Sequence, residues 1–268
     1  MLVCAPGEAD IAGLTDDVAA EILFAPAGLP RQRNAVLDRV GDCDAILFLD
    51  DDFLMSPDYV AETVSAFTSH PDIVVTTGTT IADGVKGPGI DVETARAMIA
   101  AASRRAADTG LDSAAHGYGC NMALRLGPVR AHAIRFDERL PLYGWSEDVD
   151  YTHRLGQFGR IVKLRGANGV HLGVKQGRSR GDRLGYSQVA NPIYLFRKGS
   201  YSFGRAARSV GRNLAANLAR SLQPEAYIDR RGPPSAATAS PCWICCAAGS
   251  HRNACWIFEP WLMEATAL

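Results

Sequence analysis

The run Ile46-Leu47-Phe48-Leu49-Asp50-Asp51-Asp52 constrains this chain more than any other stretch. Four consecutive apolar residues leave no polar face, so a strand built from them must be covered on both sides, as in the sheet of a layered α/β domain. Three carboxylates then follow at its carboxyl end, where open α/β sheets place their ligands. Clustered carboxylates repel one another unless a cation sits among them, and oxygen ligands of this kind suit Mg2+ or Mn2+. An acidic surface turn ahead of a helix is the plainer alternative.

The chain around this run has a matching rhythm. Strands are predicted at Met1–Ala5, Glu21–Ala25, Ala45–Leu49, Ile73–Thr77, Tyr118–Leu124 and Arg160–Leu164. Helices are predicted at Arg31–Val40, at Pro57–Thr68 with Ser56 as N-cap, at Val92–Ala107 and at Glu147–Gln157 after Ser146. At 268 residues and 47% hydrophobic, the chain can bury a large core. No stretch approaches the roughly 18 apolar residues of a membrane span, and no secretory signal pattern opens the chain, which reads as cytoplasmic. Cys4, Cys43 and Cys120 are isolated in or beside apolar segments, which suits reduced, buried thiols.

A second acidic group, Gly144-Trp145-Ser146-Glu147-Asp148-Val149-Asp150, opens the helix at 147. Acids in a first turn are favoured by the helix dipole alone. A carboxylate there, beneath an aromatic lid such as Trp145, also suits a general base facing the first cluster. Arg31, Arg33 and Asn34 begin a helix after Gly28-Leu29-Pro30, where basic and amide groups can bind a nucleotide or its phosphates. Otherwise the arginines are simply solvated. His171 follows the strand from Arg160 and is either structural or a further metal ligand. The run Gly117-Tyr118-Gly119-Cys120-Asn121 allows close approach of backbone to a ligand, or its glycines serve a strand bend.

The ordered set Gly28-Leu29-Pro30-Arg31-Gln32-Arg33-Asn34, Phe48-Leu49-Asp50-Asp51-Asp52, Gly119-Cys120-Asn121-Met122-Ala123, Trp145-Ser146-Glu147-Asp148-Val149-Asp150 and His171 resembles family-two glycosyltransferases of the GT-A fold over about residues 1 to 200. The resemblance implies a three-layer α/β/α domain with a mostly parallel mixed sheet. It implies inverting transfer of a sugar from a nucleotide-diphosphate donor to an acceptor hydroxyl, with Mn2+ or Mg2+, in bacterial polysaccharide or glycoconjugate synthesis. Asp50 and Asp52 would hold the metal and donor with Asp51 between them. Asn34 would lie by the nucleotide, Asp148 would be the base with Glu147 beside it, and His171 would be a late metal or diphosphate ligand. A sugar-phosphate nucleotidyltransferase, or an inactive fragment that retains binding surface, are the alternatives.

The expected organisation is a catalytic core over 1–175, a basic helical segment over 176–231 and an anomalous tail over 232–268. Residues 175–231 carry twelve Lys or Arg against three acids, while the whole chain has a net charge of only -1. The run Phe203–Leu222 reads as a basic amphipathic helix, either a solvated face or a contact with an anionic membrane. A lipid-linked or carbohydrate acceptor is therefore expected, and no nucleic acid. The family's first β-α unit is expected to be missing, because Met1 falls where its second strand begins.

The tail holds four of the seven cysteines and three of the four tryptophans. Its Cys242, Cys245, His251 and Cys255 miss the spacing of a zinc knuckle by one place. Back-translated with GC-rich codons and shifted by one base, residues 242–257 become Leu-Leu-Asp-Leu-Leu-Arg-Gly-Arg-Val-Ala-Pro-Glu-Arg-Val-Leu-Asp, an ordinary amphipathic pattern. A frameshifted, disordered tail is the expectation, and sequencing the gene across codons 232–234 tests it.

Overall fold

The computed structural model describes residues 1–14, 19–85, 87–103, 109–140, 144–174, 181–222, 242–245 and 254–255. The apolar run at 46–49 is a strand of a central sheet. Its strands are β1 (Leu2–Ala5), β2 (Glu21–Phe24), β3 (Ala45–Leu49), β4 (Phe53–Met55), β5 (Ile73–Asp83), β6 (Leu111–Ser113), β7 (Asn121–Arg125), β8 (Arg160–His171), β9 (Cys242–Cys245) and β10 (Ala254–Cys255). The helices are α1 (Leu29–Arg39), α2 (Tyr59–Ser69), α3 (Val92–Ser103), α4 (Leu126–Ala131), α5 (Glu147–Leu155), α6 (Gly181–Lys198) and α7 (Phe203–Leu222).

β3 shows why its sequence has no polar face. Ile46 and Phe48 pack with Val36 of α1, Val40 just after it, Val129 of α4 and Tyr151 and Leu155 of α5. Leu47 and Leu49 point the other way, onto Tyr59, Ala66 and Phe67 of α2. Each of these β3 side chains is at most 2% exposed, and burial of that kind stabilises by roughly 1.5–3 kcal/mol per large side chain. The three-layer α/β/α expectation is met.

The sheet runs in the order β2-β1-β9-β3-β7-β5-β8-β4, with β10 beside β3 and β6 beside β8. It is mixed: β1 with β2 and β5 with β8 are parallel, whereas β7 is antiparallel to both β3 and β5, and β4 to β8. Between β1 and β3 lies β9, antiparallel to both. The anomalous tail thus meets the sheet in its two described pieces, β9 and β10, while the rest of 232–268 lies outside the described residues.

Several local expectations are corrected. Helix α2 starts at Tyr59 rather than Pro57, and Ser56 does not cap it. Ser56 instead donates its backbone N–H to Asn168 O at 2.7 Å, which ties the turn after β4 to β8. Strand β7 begins at Asn121 because Tyr118–Asn121 closes a turn, with Asn121 N donating to Tyr118 O at 2.9 Å. The last part of the predicted helix 92–107 lies outside the described residues. Cys4 and Cys120 are free and buried as expected, but Cys43 is disulfide-bonded.

The largest departure concerns β5 and β8, each about twice the predicted length. Their parallel pairing continues through register shifts until Asp83 stands opposite His171, and β4 places Phe53 opposite the same histidine. Three strand ends therefore meet at one point. Close backbone passage there requires glycine at 173: its φ is +69°, and a Cβ would overlap the backbone of Gly84.

Candidate active site

The first acidic cluster forms a tight turn between β3 and β4. Asp50 N donates to Cys120 O at 3.1 Å, Phe53 N donates to Asp50 O at 3.0 Å, and Leu172 N donates to Asp52 O at 2.8 Å. These backbone bonds fix the turn against both β8 and the loop before β7. Ligand atoms of Asp50, Asp52 and His171 consequently lie within 4.8 Å of one another. Asp51 sits between them in the turn, half-buried.

Carboxylates flank His171 on both sides. Its Nε2 is 3.0 Å from Asp52 Oδ1 and its Nδ1 is 3.1 Å from Asp83 Oδ1. Burial alone would lower the imidazole's pKa, but the bonds to Asp52 and Asp83 outweigh it and hold it up at about 10. Asp83 in turn accepts a hydrogen bond from Tyr118 Oη at 3.0 Å. Burial pushes the Asp83 carboxyl up, yet its bonds with His171, Val85 and Tyr118 hold it down at about 2. Neither Asp83 nor Tyr118 stood out in the sequence as a site residue. The available signal was the place of Asp83 just ahead of Gly84, Gly87 and Gly89.

Arg33 joins this cluster to the second one. Its side chain is fully buried. The guanidinium donates to Gly119 O at 2.7 Å and to Asp50 Oδ1 at 3.3 Å, and it also bonds Glu147. The faces of Phe48 and Phe136 lie 5.5 and 5.6 Å from it. Arg33 is therefore neither solvated nor at the surface for phosphate; it is an internal bridge.

The second cluster stands at the start of α5. Gly144 and Ser146 both take positive φ, +62° and +69°, which turns the chain sharply into the helix. Asp148 Oδ2 accepts from Gly119 N at 2.9 Å and Oδ1 from Val149 N at 2.8 Å. Gly119 thus touches Arg33 through its carbonyl and Asp148 through its N–H. A Cβ there would stand 3.3 Å from Asp148 Oδ2 and 3.4 Å from Arg33 Nη1. Glu147 is 4% exposed, and burial pushes its carboxyl up to about 8 against the pull of Arg33, with Asp148 and Asp50 adding to the rise. Asp50 is likewise raised by burial, against Arg33 and with Asp52 and Asp148 adding.

Asn34 and Asn121 are committed to the protein itself rather than turned toward a ligand. Asn34 Nδ2 donates to Phe136 O and Glu138 Oε1 at 3.0 and 2.8 Å, and its Oδ1 accepts from Phe136 N at 2.8 Å. Asn121 is fully buried, bonded through its side chain to Thr77 and Thr80. Arg31 is half-exposed, 4.0 Å from Glu138. Trp145 is half-buried, and its carbonyl accepts from Asn191 Nδ2 of α6 at 3.1 Å.

The charge of the site favours a cation. Five carboxyl groups, those of Asp50, Asp52, Asp83, Glu147 and Asp148, gather around Arg33 and a protonated His171 among the described residues, and their mutual repulsion adds to the raised pKa of Asp50 and Glu147. Two carboxylate oxygens and one imidazole nitrogen at mutual reach form a donor set suited to Mn2+ or Mg2+. The Nε2 to Oδ1 contact is a hydrogen bond while the imidazole holds its proton, and a cation taking both atoms as ligands takes that proton's place.

No family model and no curated protein matches the sequence. Solved structures similar to the chain include GalNAc-T7 with UDP, GalNAc and Mn2+, at 13% identity and a TM-score of 0.42, covering 74% of this chain and 46% of that one. They also include S. aureus TarS 1-349 in complex with UDP, at 13% identity and a TM-score of 0.43, covering 77% and 58%. The chain spans about half the length of these solved chains, and 34% of full TarS.

Proposed function

We propose that this chain is a divalent-cation-dependent glycosyltransferase that moves a sugar from a nucleotide-diphosphate donor to an acceptor hydroxyl with inversion. The observation that carries the reading is the joining of two acidic centres through Arg33 and Gly119: a cation-binding set, Asp50, Asp52 and His171, and the carboxylate of Asp148. Inverting transfer needs this division of labour. The leaving diphosphate gains negative charge on one side of the sugar, while a base removes the acceptor proton on the other.

Asp50, Asp52 and His171 would hold the cation, which neutralises charge on the departing diphosphate. Asp148 takes the proton of the acceptor hydroxyl; the oxygen forms its bond to the anomeric carbon as the bond to the donor phosphate oxygen breaks and that oxygen keeps the electron pair. Each oxygen of Asp148 accepts one backbone N–H, which orients the carboxylate, and a carboxylate oxygen has a second acceptor position for the incoming hydroxyl. Arg33, Glu147 and Asp83 are positioning residues. Arg33 and Glu147 fix the start of α5 against the cation arm, and Asp83 sets the imidazole so that Nε2 faces Asp52. Carbohydrate or lipid-linked acceptors in polysaccharide or glycoconjugate synthesis fit this chemistry.

The test is a panel of nucleotide sugars and acceptors with Mn2+ or Mg2+, read as release of nucleoside diphosphate and as the anomeric configuration of the product. Asp148→Asn should lower turnover by about 10^2 to 10^4-fold, and Asp52→Asn should remove the cation requirement together with the activity. Full activity in Asp148→Asn removes it as the base. Pyrophosphate release from a nucleoside triphosphate and a sugar phosphate would make the chain a nucleotidyltransferase instead.

A further inference from the structure

Helices α6 and α7 form an antiparallel hairpin that packs on the core by one side only. Leu195, Tyr201 and Ala206 lie against Leu140 and Val149, and Asn213 and Asn217 bond Gln188 across the pair. One flank of α7 is apolar and exposed. Phe203 is 71% and Leu214 53% exposed, with exposed Ala207 between them in the same helical strip. Three helical turns separate Phe203 from Leu214, about 16 Å at ~1.5 Å per residue. Phe196 of α6, 42% exposed, meets Phe203 edge-on at 5.8 Å and carries the strip across the hairpin turn.

The arginines lie on the other side of α7: at about 100° per residue, Arg208 and Arg212 stand roughly 120–180° round the helix from Phe203 and Leu214. Arg208 and Arg212 are exposed one turn apart, and α7 holds Arg205, Arg208, Arg212 and Arg220 with no acidic residue in its twenty positions. Nucleic acid would engage the arginines but gives no reason for an exposed phenylalanine and leucine on the other side of the same helix. A neutral protein groove would take the apolar strip but gives no reason for a basic, acid-free polar side on the same helix. An anionic bilayer surface takes both, with aromatic and aliphatic side chains at the acyl boundary and guanidinium groups among the headgroups. No described helix is long and apolar enough to cross a membrane, so α7 would lie in the interface.

We infer that α6 and α7 dock on an anionic phospholipid bilayer through the exposed apolar strip of Phe203 and Leu214, with Arg208 and Arg212 on the basic polar side of α7. The hairpin is joined to the start of α5 through Asn191 to Trp145 O at 3.1 Å and Lys198 to Asp150 at 2.8 Å. Docking would therefore hold Asp148 at a fixed height over the membrane, which suits a lipid-linked acceptor. That consequence rests on the glycosyltransferase reading, whereas the docking surface stands on α6 and α7 alone.

The full chain is floated with vesicles of phosphatidylcholine, and of phosphatidylcholine with phosphatidylglycerol, without nucleotide sugar or acceptor. Binding is expected to the anionic vesicles, to weaken between 0.05 and about 0.5 M salt as the charges are screened, and to be weak on phosphatidylcholine. Arg208→Glu with Arg212→Glu should lower the partition by about tenfold or more. Phe203→Ser with Leu214→Ser should lower it at constant charge. All four sites are exposed, and unchanged circular dichroism of each variant certifies the fold. No binding to anionic vesicles, equal binding to both compositions, or binding untouched by both double substitutions overturns the inference. Retention on RNA without vesicle binding would overturn it in favour of a nucleic-acid surface. None of these outcomes depends on catalysis, so a failed transferase assay and failed docking are told apart.

Discussion

Arg33 holds the two acidic centres together at the scale of single residues. A fully buried guanidinium between Asp50 and Glu147 cannot be removed without leaving uncompensated carboxylates, a loss of about 3–5 kcal/mol for a broken buried pair. The exposed pair of Arg135 with Asp38 is worth about 1 kcal/mol at most, because water screens it. Asp83 is the residue whose part is most directly measurable. A carboxylate on the far nitrogen of a metal-binding imidazole fixes its orientation, and losing it lowers affinity about 10–100-fold. Asp83→Asn should weaken Mn2+ binding by that factor in calorimetry on the otherwise unliganded protein. Unaltered affinity would mean that Asp83 does not orient His171. The sequence marked Asp50 and Asp52 at the end of an apolar run and His171 beyond the strand predicted from Arg160 to Leu164, but it did not mark Asp83, which ends a strand predicted to stop at Thr77.

Between elements, the docking of α6 depends on Asp137, in the loop after α4. Its carboxylate accepts from Tyr194 Oη and Lys198 Nζ, each at 2.7 Å. Burial pushes its pKa up, but the bonds with Lys198 and Tyr194 prevail and hold it well below the ordinary carboxylate value of 3.8. A group depressed in the folded state contributes stability above its unfolded pKa and loses it as pH falls through the folded one. Stability from this contact should thus be complete above about pH 5 and decline on acidification below about pH 4. Asp137→Asn should cost about 1–3 kcal/mol at pH 7 and flatten the acid limb of urea-denaturation midpoints. An acid limb as steep as the parent's would show that other carboxylates carry it. Helix α6 could be anticipated only as part of a basic helical segment, since its partners lie about fifty residues upstream.

For the whole molecule, the site is assembled from positions far apart in the chain. Asp52 and His171 meet across 119 residues of separation, so the proposed cation-binding set exists only when β3, β4, β5 and β8 are all in register. A cation that binds this folded arrangement and not the unfolded chain must stabilise the fold by mass action, by about 2.7 kcal/mol at a hundred times its dissociation constant. Thermal unfolding should therefore shift upward with Mn2+ in the parent chain and not in Asp52→Asn. A shift of equal size in both would put the ion elsewhere.

What the sequence determined by itself was local: a strand too apolar to have a wet face, acids at its end, an acidic first turn of α5 and a basic amphipathic α7. Those features follow from side-chain periodicity and composition within ten or twenty residues, which any chain displays before it folds. Only the tertiary structure decided the rest. It turned Asn34 and Asn121 inward, made Arg33 a bridge, brought Asp83 to His171, and set β9 between β1 and β3. The reason is that strand register and the burial of a charge depend on which distant segments become neighbours, and a linear pattern specifies that only through the packing it forms.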